Sequence, residues 1–169
     1  MNILIVKLSS LGDVVHAMPA VQDIRAALPD ARIDWVVERG FAPLVQRCEG
    51  VAQTIPSEIR RWRKALLAKR TREEWAAFRE QLQARAYDAV IDLQGLTKSA
   101  VVARMARLAP GGSRYALANQ TDGSSYEVPT RWVADVAVPV APRVHAVQRS
   151  RLLCAQALGY TPAAAPRFG

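Results

Sequence analysis

Ser9, Ser10, Gly12 and Asp13 form one short run whose residue types and spacing suit chemistry on a bound ligand. Gly12 lets backbone approach a ligand closely, the serines offer hydroxyls, and Asp13 places a carboxylate where a following helix dipole favours its charged form. Such a carboxylate can act as a general base. It can equally cap the helix, because Asp is a preferred cap residue, and spacing leaves both readings open. A second polar loop holds Gln94, Gly95 and Lys98; Gln94 and Lys98 can hydrogen-bond hydroxyls and carboxylates of a ligand, while Gly95 permits a tight turn. The third group is cationic. Arg60, Arg61, Arg63 and Lys64 put four like charges into five positions, an arrangement that repels itself unless an anion is near, so the segment reads as an anion-binding face or as a solvated one. Asp92 reads as the cap of its own loop, His16 as structural and His145 as a helix-start residue.

The elements that position these residues follow from hydrophobic periodicity. Asn2–Val6 is an apolar, β-branched run, the pattern of a central strand buried on both faces of a parallel sheet. Apolar positions resume at Val14, Val15 and Met18 with helical spacing that runs to Leu28, with Pro19 expected to kink or restart the helix. Pro29 and Asp30 turn the chain into a strand over Arg32–Glu38; a short helix over 41–48 and a brief strand over 51–55 follow. From Glu58 a helix places Ile59, Trp62 and Leu66 on one face. Thr71 and Glu74 have the spacing of a capping box, opening a helix to about Arg85 with Trp75, Phe78 and Leu82 inward. A buried strand spans 87–92, and a helix from Thr97 stops at Pro110-Gly111-Gly112. Strands over 115–117 and 133–138 flank an exposed loop over 119–129, and a last helix runs from His145 to Gly159 with Pro162 beyond. The alternation makes the fold α/β: a Rossmann-like, doubly wound parallel sheet whose two polar strand-to-helix loops face one crevice.

Composition narrows the function classes. With 169 residues, half of them hydrophobic, one domain with a sizeable core is expected. No apolar run approaches the roughly 20 residues of a membrane-spanning helix, and the N-terminal apolar stretch is too short for a signal peptide, so a soluble, cytoplasmic protein is expected. The net charge of +8 suggests anionic partners. No zinc-finger, aromatic RNA-binding or helix-turn-helix signature accompanies it, which argues against nucleic acid. The first loop has Gly12 alone where a dinucleotide fingerprint needs G-x-G-x-x-G, which argues against a dehydrogenase domain. Cys48 and Cys154 read as buried free thiols, and no metal-ligand cluster is present. A basic lipid- or nucleic-acid-binding module and a nucleotide-binding dehydrogenase domain stand as the alternative readings of the residues.

Five segments carry a resemblance: VKLSSLGDVVHAMPA, IDWVVERGFAPL, IPSEIRRWRK, YDAVIDLQGLTKSA and HAVQRSRLLCAQALGY. Together, from Val6 to Tyr160, they resemble the amino-terminal half of the lipopolysaccharide heptosyltransferases, the ADP-heptose:LPS family, and IRRWRK and DLQGLTKS are similar to the type that acts first in the series. The resemblance implies a two-Rossmann-domain (GT-B type) glycosyltransferase. Residues 1–160 would be its acceptor-binding domain, 161–169 the start of a linker, and the donor-binding domain would lie outside this chain. It implies inverting, metal-independent transfer of heptose from ADP-L-glycero-D-manno-heptose to the inner Kdo of Kdo2-lipid A, without a cofactor. Asp13 would be the general base; Ser9, Ser10, Gly12, Arg60, Arg61, Arg63, Lys64, Gln94 and Lys98 would hold the acceptor. The enzyme would sit on the cytoplasmic face of the inner membrane, in peripheral contact with anionic lipid, and this half alone would be inactive.

Overall fold

Ile3, Leu4, Ile5 and Val6 expose no surface, because the strand they form lies inside a parallel sheet covered on both faces. The computed structural model describes residues 1–169. Its strands are β1 (Asn2–Val6), β2 (Arg32–Glu38), β3 (Val51–Ser57), β4 (Ala86–Asp92), β5 (Arg107–Leu117) and β6 (Val136–Val138). Its helices are α1 (Leu11–Ala27), α2 (Ala42–Val45), α3 (Ile59–Trp62), α4 (Lys69–Gln83), α5 (Thr97–Met105), α6 (Pro129–Val133) and α7 (Ala146–Leu158). All neighbouring strands pair in parallel, in the order β3-β2-β1-β4-β5-β6. That is the doubly wound Rossmann order, as the alternation of elements requires.

Period-2 alternation sorts the strand residues between two cores. Ile3 and Ile5 pack with Val14, Ala17, Val21 and Ile24 of α1 and with Leu153 and Cys154 of α7. Leu4 and Val6 pack on the opposite face with Ile59 and Trp62 of α3, Phe78 and Leu82 of α4, and Val102 and Ala103 of α5. Each fully buried aliphatic side chain contributes about 1.5–3 kcal/mol, so both layers hold the sheet. Cys48 and Cys154 are buried free thiols within the first core.

Several local expectations change. Helix α1 starts at Leu11, before the apolar spacing becomes visible, and runs unbroken through the buried Pro19, since packing against the sheet outweighs the lost hydrogen bond. Helix α3 stops at Trp62, so Leu66 leaves the Ile59–Trp62 face and is 67% exposed. Helix α4 begins at Lys69 with Ala68 as its N-cap. The Thr71–Glu74 capping box does not form; Glu74 instead accepts from Trp62 Nε1 at 2.8 Å, from Arg70 Nε at 2.7 Å and from Arg61. Strand β3 continues to Ser57, and Val133 ends α6 instead of opening β6. Strand β5 begins at Arg107 and runs through Pro110-Gly111-Gly112, where its register against β4 shifts between Tyr87 and Ala89. Gly112 is needed there because a Cβ would lie 2.6 Å from the Tyr87 carbonyl oxygen. The last helix is as the sequence indicates: His145 is the N-cap of α7, its Nδ1 accepting from the Val147 N–H, and Gly159 closes it with φ of 75°.

Helix α7 is fixed to α1 by more than apolar contact. Arg151, 1% exposed, donates from Nε to Asp23 Oδ2 at 2.6 Å and from Nη2 to Asp23 Oδ1 at 3.1 Å. Removing one partner of such a buried fork strands the other charge. Asp23→Ala or Arg151→Ala should therefore each lower unfolding stability by about 3–5 kcal/mol in denaturant titrations, while the double change Asp23→Leu/Arg151→Met should cost less than either single one.

Candidate functional site

Strands β1 and β4 lie side by side, and the helices that follow them, α1 and α5, pack on opposite faces of the sheet. The two polar loops thus meet at the carboxyl edge, where a doubly wound sheet opens a crevice. Ser10 is the N-cap of α1 and Asp13 its third residue, one turn in. Asp13 Oδ2 accepts from the Ser10 N–H at 3.3 Å and from Ser10 Oγ at 3.1 Å, leaving Oδ1 without a partner in the chain. Capping and basicity are therefore compatible on one carboxylate, since each uses a different oxygen.

The second loop is tied to the first by side chains. Gln94 Oε1 accepts from the backbone N–H groups of Leu8 at 3.1 Å and Ser9 at 3.2 Å. Lys98 Nζ donates to Ser9 Oγ at 2.9 Å and reaches Glu38 Oε1 at 3.5 Å. Gln94 and Lys98 thus both organise the Ser9 loop. Gly95 adopts φ of 75°, so this turn requires glycine. Asp92 keeps to the loop: Oδ1 accepts from the N–H groups of Gln94 and Gly95, and Oδ2 from Ser99 Oγ. Complete burial pushes its carboxyl up to about 6, outweighing those hydrogen bonds. Gly12 is exposed, and a Cβ there would meet nothing within 4 Å, so the protein itself does not demand glycine at that position.

A hollow of about 110 Å³ at this edge is lined by Asp13, Gln94, Leu117 and Ser124 together with Lys7 and Arg149. The two cations escaped the sequence reading. Lys7 follows β1 directly, is 4% exposed, and donates from Nζ to the Leu93 carbonyl at 3.1 Å. Burial lowers its ammonium to about 8, with Asp13 opposing the shift and Arg149 adding to it. Arg149 is 5% exposed and donates from Nη1 to Thr121 Oγ1 at 2.8 Å. A lysine placed immediately after a strand buried on both faces was the available signal; Arg149, far along the chain, had none. His16 and His145 meet edge to face at 5.5 Å, and neither lines this hollow.

The four clustered cations do not act as one face. Arg60, Arg61 and Lys64 line a hollow of about 270 Å³ with Glu38 and Glu58, whereas Arg63 lines a separate one of about 600 Å³ with Trp62, Leu66, Trp75, Val101 and Lys98. Arg61 is held by Glu58, at 2.7 Å, and by Glu74, so it is largely spent on internal carboxylates. Arg60 comes within 3.8 Å of Glu38, while Arg63 and Lys64 make no ion pair. No group of three or more His, Cys, Asp or Glu side chains is arranged as a metal site, and no helix is long and apolar enough to cross a membrane.

Comparison with known proteins places this geometry in context. Residues 75–169 match the family model for glycosyltransferase family 9 (heptosyltransferase). The chain is 44% identical over 162 residues to lipopolysaccharide heptosyltransferase 1 of Escherichia coli strain K12, covering 95% of this chain and 49% of that protein. It is 43% identical over 160 residues to the Pseudomonas aeruginosa enzyme of the same name, covering 95% of this chain and 43% of that one. The solved structure of E. coli heptosyltransferase WaaC with ADP superposes with a TM-score of 0.88 at 41% identity, over 98% of this chain and 50% of that one. A family 9 glycosyl transferase from Veillonella parvula, 14% identical with a TM-score of 0.70, shares the fold. The chain spans about half the length of the curated relatives it matches.

The buried Asp92 gives this site a pH signature. Its folded carboxyl, near 6, lies above the ordinary 3.8, so the protonated group favours the fold. That contribution is complete below about 3.8 and is lost as pH rises through about 6. Asparagine can keep both backbone hydrogen bonds through Oδ1 and donate from Nδ2 to Ser99 Oγ, without titrating. The stability of the native sequence relative to Asp92→Asn should fall across that interval and level off above it, as read by thermal unfolding at a series of pH values. Asp92→Ala, which leaves the Gln94 and Gly95 N–H groups without their acceptor, should lose about 1–3 kcal/mol at neutral pH.

Proposed function

Because this chain belongs to glycosyltransferase family 9, the heptosyltransferases, we propose that it is the half of such an enzyme that holds the acceptor and supplies the general base. The observation that carries the reading is Asp13: one carboxylate oxygen is anchored by Ser10 and the other is unpartnered, at the edge where both polar loops converge. The reaction is inverting transfer of heptose from ADP-L-glycero-D-manno-heptose to a hydroxyl of the inner Kdo of Kdo2-lipid A. The acceptor oxygen attacks the anomeric carbon from the face opposite ADP as Asp13 takes its proton, and the bond to ADP breaks. A base on that side must come from the acceptor domain. The donor is assigned to the half of such an enzyme that this chain does not span; the WaaC chains solved with ADP and with ADP-2-deoxy-2-fluoro heptose are about twice as long as this one.

The acceptor is an anionic glycolipid, and the unpaired cations beside the crevice suit it. Arg63, which makes no ion pair, lines with Arg72 and Lys98 a hollow whose walls include Ile59, Trp62, Leu66, Trp75 and Val101 as well as the Glu127 carboxylate, so one surface offers cations for phosphate and apolar side chains for lipid. Leu66 and Leu67, 67% and 92% exposed, follow Arg63 and Lys64 after a single alanine. This surface and the net charge of +8 support peripheral contact with the cytoplasmic face of the inner membrane.

In an enzyme carrying both halves, Asp13→Asn should lower kcat on the order of 10²-fold or more while leaving the unfolding midpoint within error, because asparagine can still accept from Ser10 but cannot take a proton. Near-normal turnover would remove Asp13 as the base. Replacing Arg60, Arg63 and Lys64 together by Gln, with Arg61 left to hold Glu58 and Glu74, should weaken Kdo2-lipid A binding and flatten its salt dependence, since exposed charges are screened over about 10 Å at 0.1 M salt. An unchanged salt slope in vesicle or micelle binding would reduce this segment to a solvated face.

A further inference from the structure

Helix α7 carries two buried arginines that differ in one respect. Arg151 is neutralised by the bidentate Asp23 carboxylate. Arg149, two positions earlier and almost as buried, has no carboxylate within ion-pair distance; its guanidinium makes one hydrogen bond, to the Thr121 hydroxyl. Lys7 is in the same condition, bonded only to the Leu93 carbonyl. Both line the hollow that contains Asp13. Buried charges are ordinarily paired, so two unpaired cations facing one small hollow define a site for an anion. Among the carboxylates nearby, Asp92 is committed to Gln94, Gly95 and Ser99, Glu38 is committed to Lys98 and Arg60, and Asp13, which lines the same hollow and partly offsets both charges, is beyond ion-pair distance of either cation. A volume of about 110 Å³ admits one compact oxyanion and not a whole sugar ring with its substituents.

We propose that Lys7 and Arg149 together bind an anionic oxygen group of a substrate, a sugar carboxylate or a phosphate, and so place the reacting hydroxyl or the leaving group against Asp13. The proposal rests on the reading of this crevice as the reaction centre and adds a recognition role for two side chains that the general-base mechanism leaves idle. The pair also sets the local electrostatics. Burial lowers the Lys7 ammonium and the Arg149 guanidinium from their ordinary values, and a bound anion would restore both.

The test is binding to this 169-residue chain, followed by amide shifts in ¹⁵N spectra. The probes are the methyl glycoside of Kdo, its uncharged carboxamide, and ADP. The expected result is saturable shifts at Asp13, Gln94 and Ser124 with a charged probe, and affinity lower by about tenfold or more in Arg149→Gln and in Lys7→Gln, with partial recovery in Arg149→Lys. Thermal unfolding of each variant identifies any that fails to fold, and Arg149→Lys keeps the comparison meaningful in that event. Binding of the Kdo glycoside but not the carboxamide assigns the anion to the acceptor; binding of ADP alone assigns it to the donor. Shifts elsewhere, no shifts with any probe, or affinities indifferent to both Gln substitutions would overturn the proposal. Because no turnover is measured, failure of the transfer reading and failure of this anion site are separate outcomes.

Discussion

Helices α1 and α5 must leave neighbouring strands toward opposite faces of the sheet, and most of what matters in this molecule depends on that divergence. Had both helices packed on one face, the backbone following β1 and β4 would have been covered by helix. Instead the two strand ends are bare of helix, and the chain has to stitch them with side chains. Gln94 supplies one oxygen for two backbone N–H groups of the first loop, and Lys98 reaches across to Ser9. Asp92 does the corresponding work inside the second loop. These bonds satisfy backbone groups that no ladder reaches, and they fix Asp13 relative to the opposite wall.

That economy explains why polar residues in the crevice are structural and chemical at once. Gln94 and Asp13 illustrate it: each spends an oxygen on a loop and also lines the hollow. The far wall is made differently. Helix α7 is seated by the Arg151–Asp23 fork and by Leu153 and Cys154 in the core, so the position of Arg149 is inherited from a buried ion pair two residues away. Rigidity there comes from the scaffold, whereas rigidity at the two loops comes from the site itself.

How much could be read in the sequence depended on what each signal is made of. Strands β1 and β2 were legible to the residue because burial on both faces leaves apolar stretches, Ile3–Val6 in β1 and Trp35–Val37 in β2, and the turn at Pro29 and Asp30 and Gly40 bound the second. Helix α7 was legible from His145 to Gly159 because both ends carry chemistry specific to helix termini. Asp13, Gln94 and Lys98 could be picked out because they sit in short loops after such strands. The failures share a cause in tertiary competition. Thr71 and Glu74 have the right spacing for a cap, but Trp62, Arg61 and Arg70 claim the carboxylate. The basic run reads as four equivalent charges, yet Glu58 at the start of the same helix, Glu74 in α4 and Glu38 in β2 engage some of them and not others. Pro110-Gly111-Gly112 looks like a terminator and is instead a place where β5 changes register against β4. Arg149 joins the site only because α7 returns to the first strand, a proximity that no local pattern encodes.

The two cysteines have a practical consequence. Cys48 and Cys154 are unpaired and sealed in the core beneath α1, and burial raises both thiols, that of Cys154 to about 12. A thiol this reluctant to ionise reacts slowly with maleimides and iodoacetamides, which attack the thiolate. The native chain is thus already silent toward such reagents, and a single cysteine introduced on the rim, at Leu67 for instance, would carry a fluorophore or spin label without the native thiols first being removed.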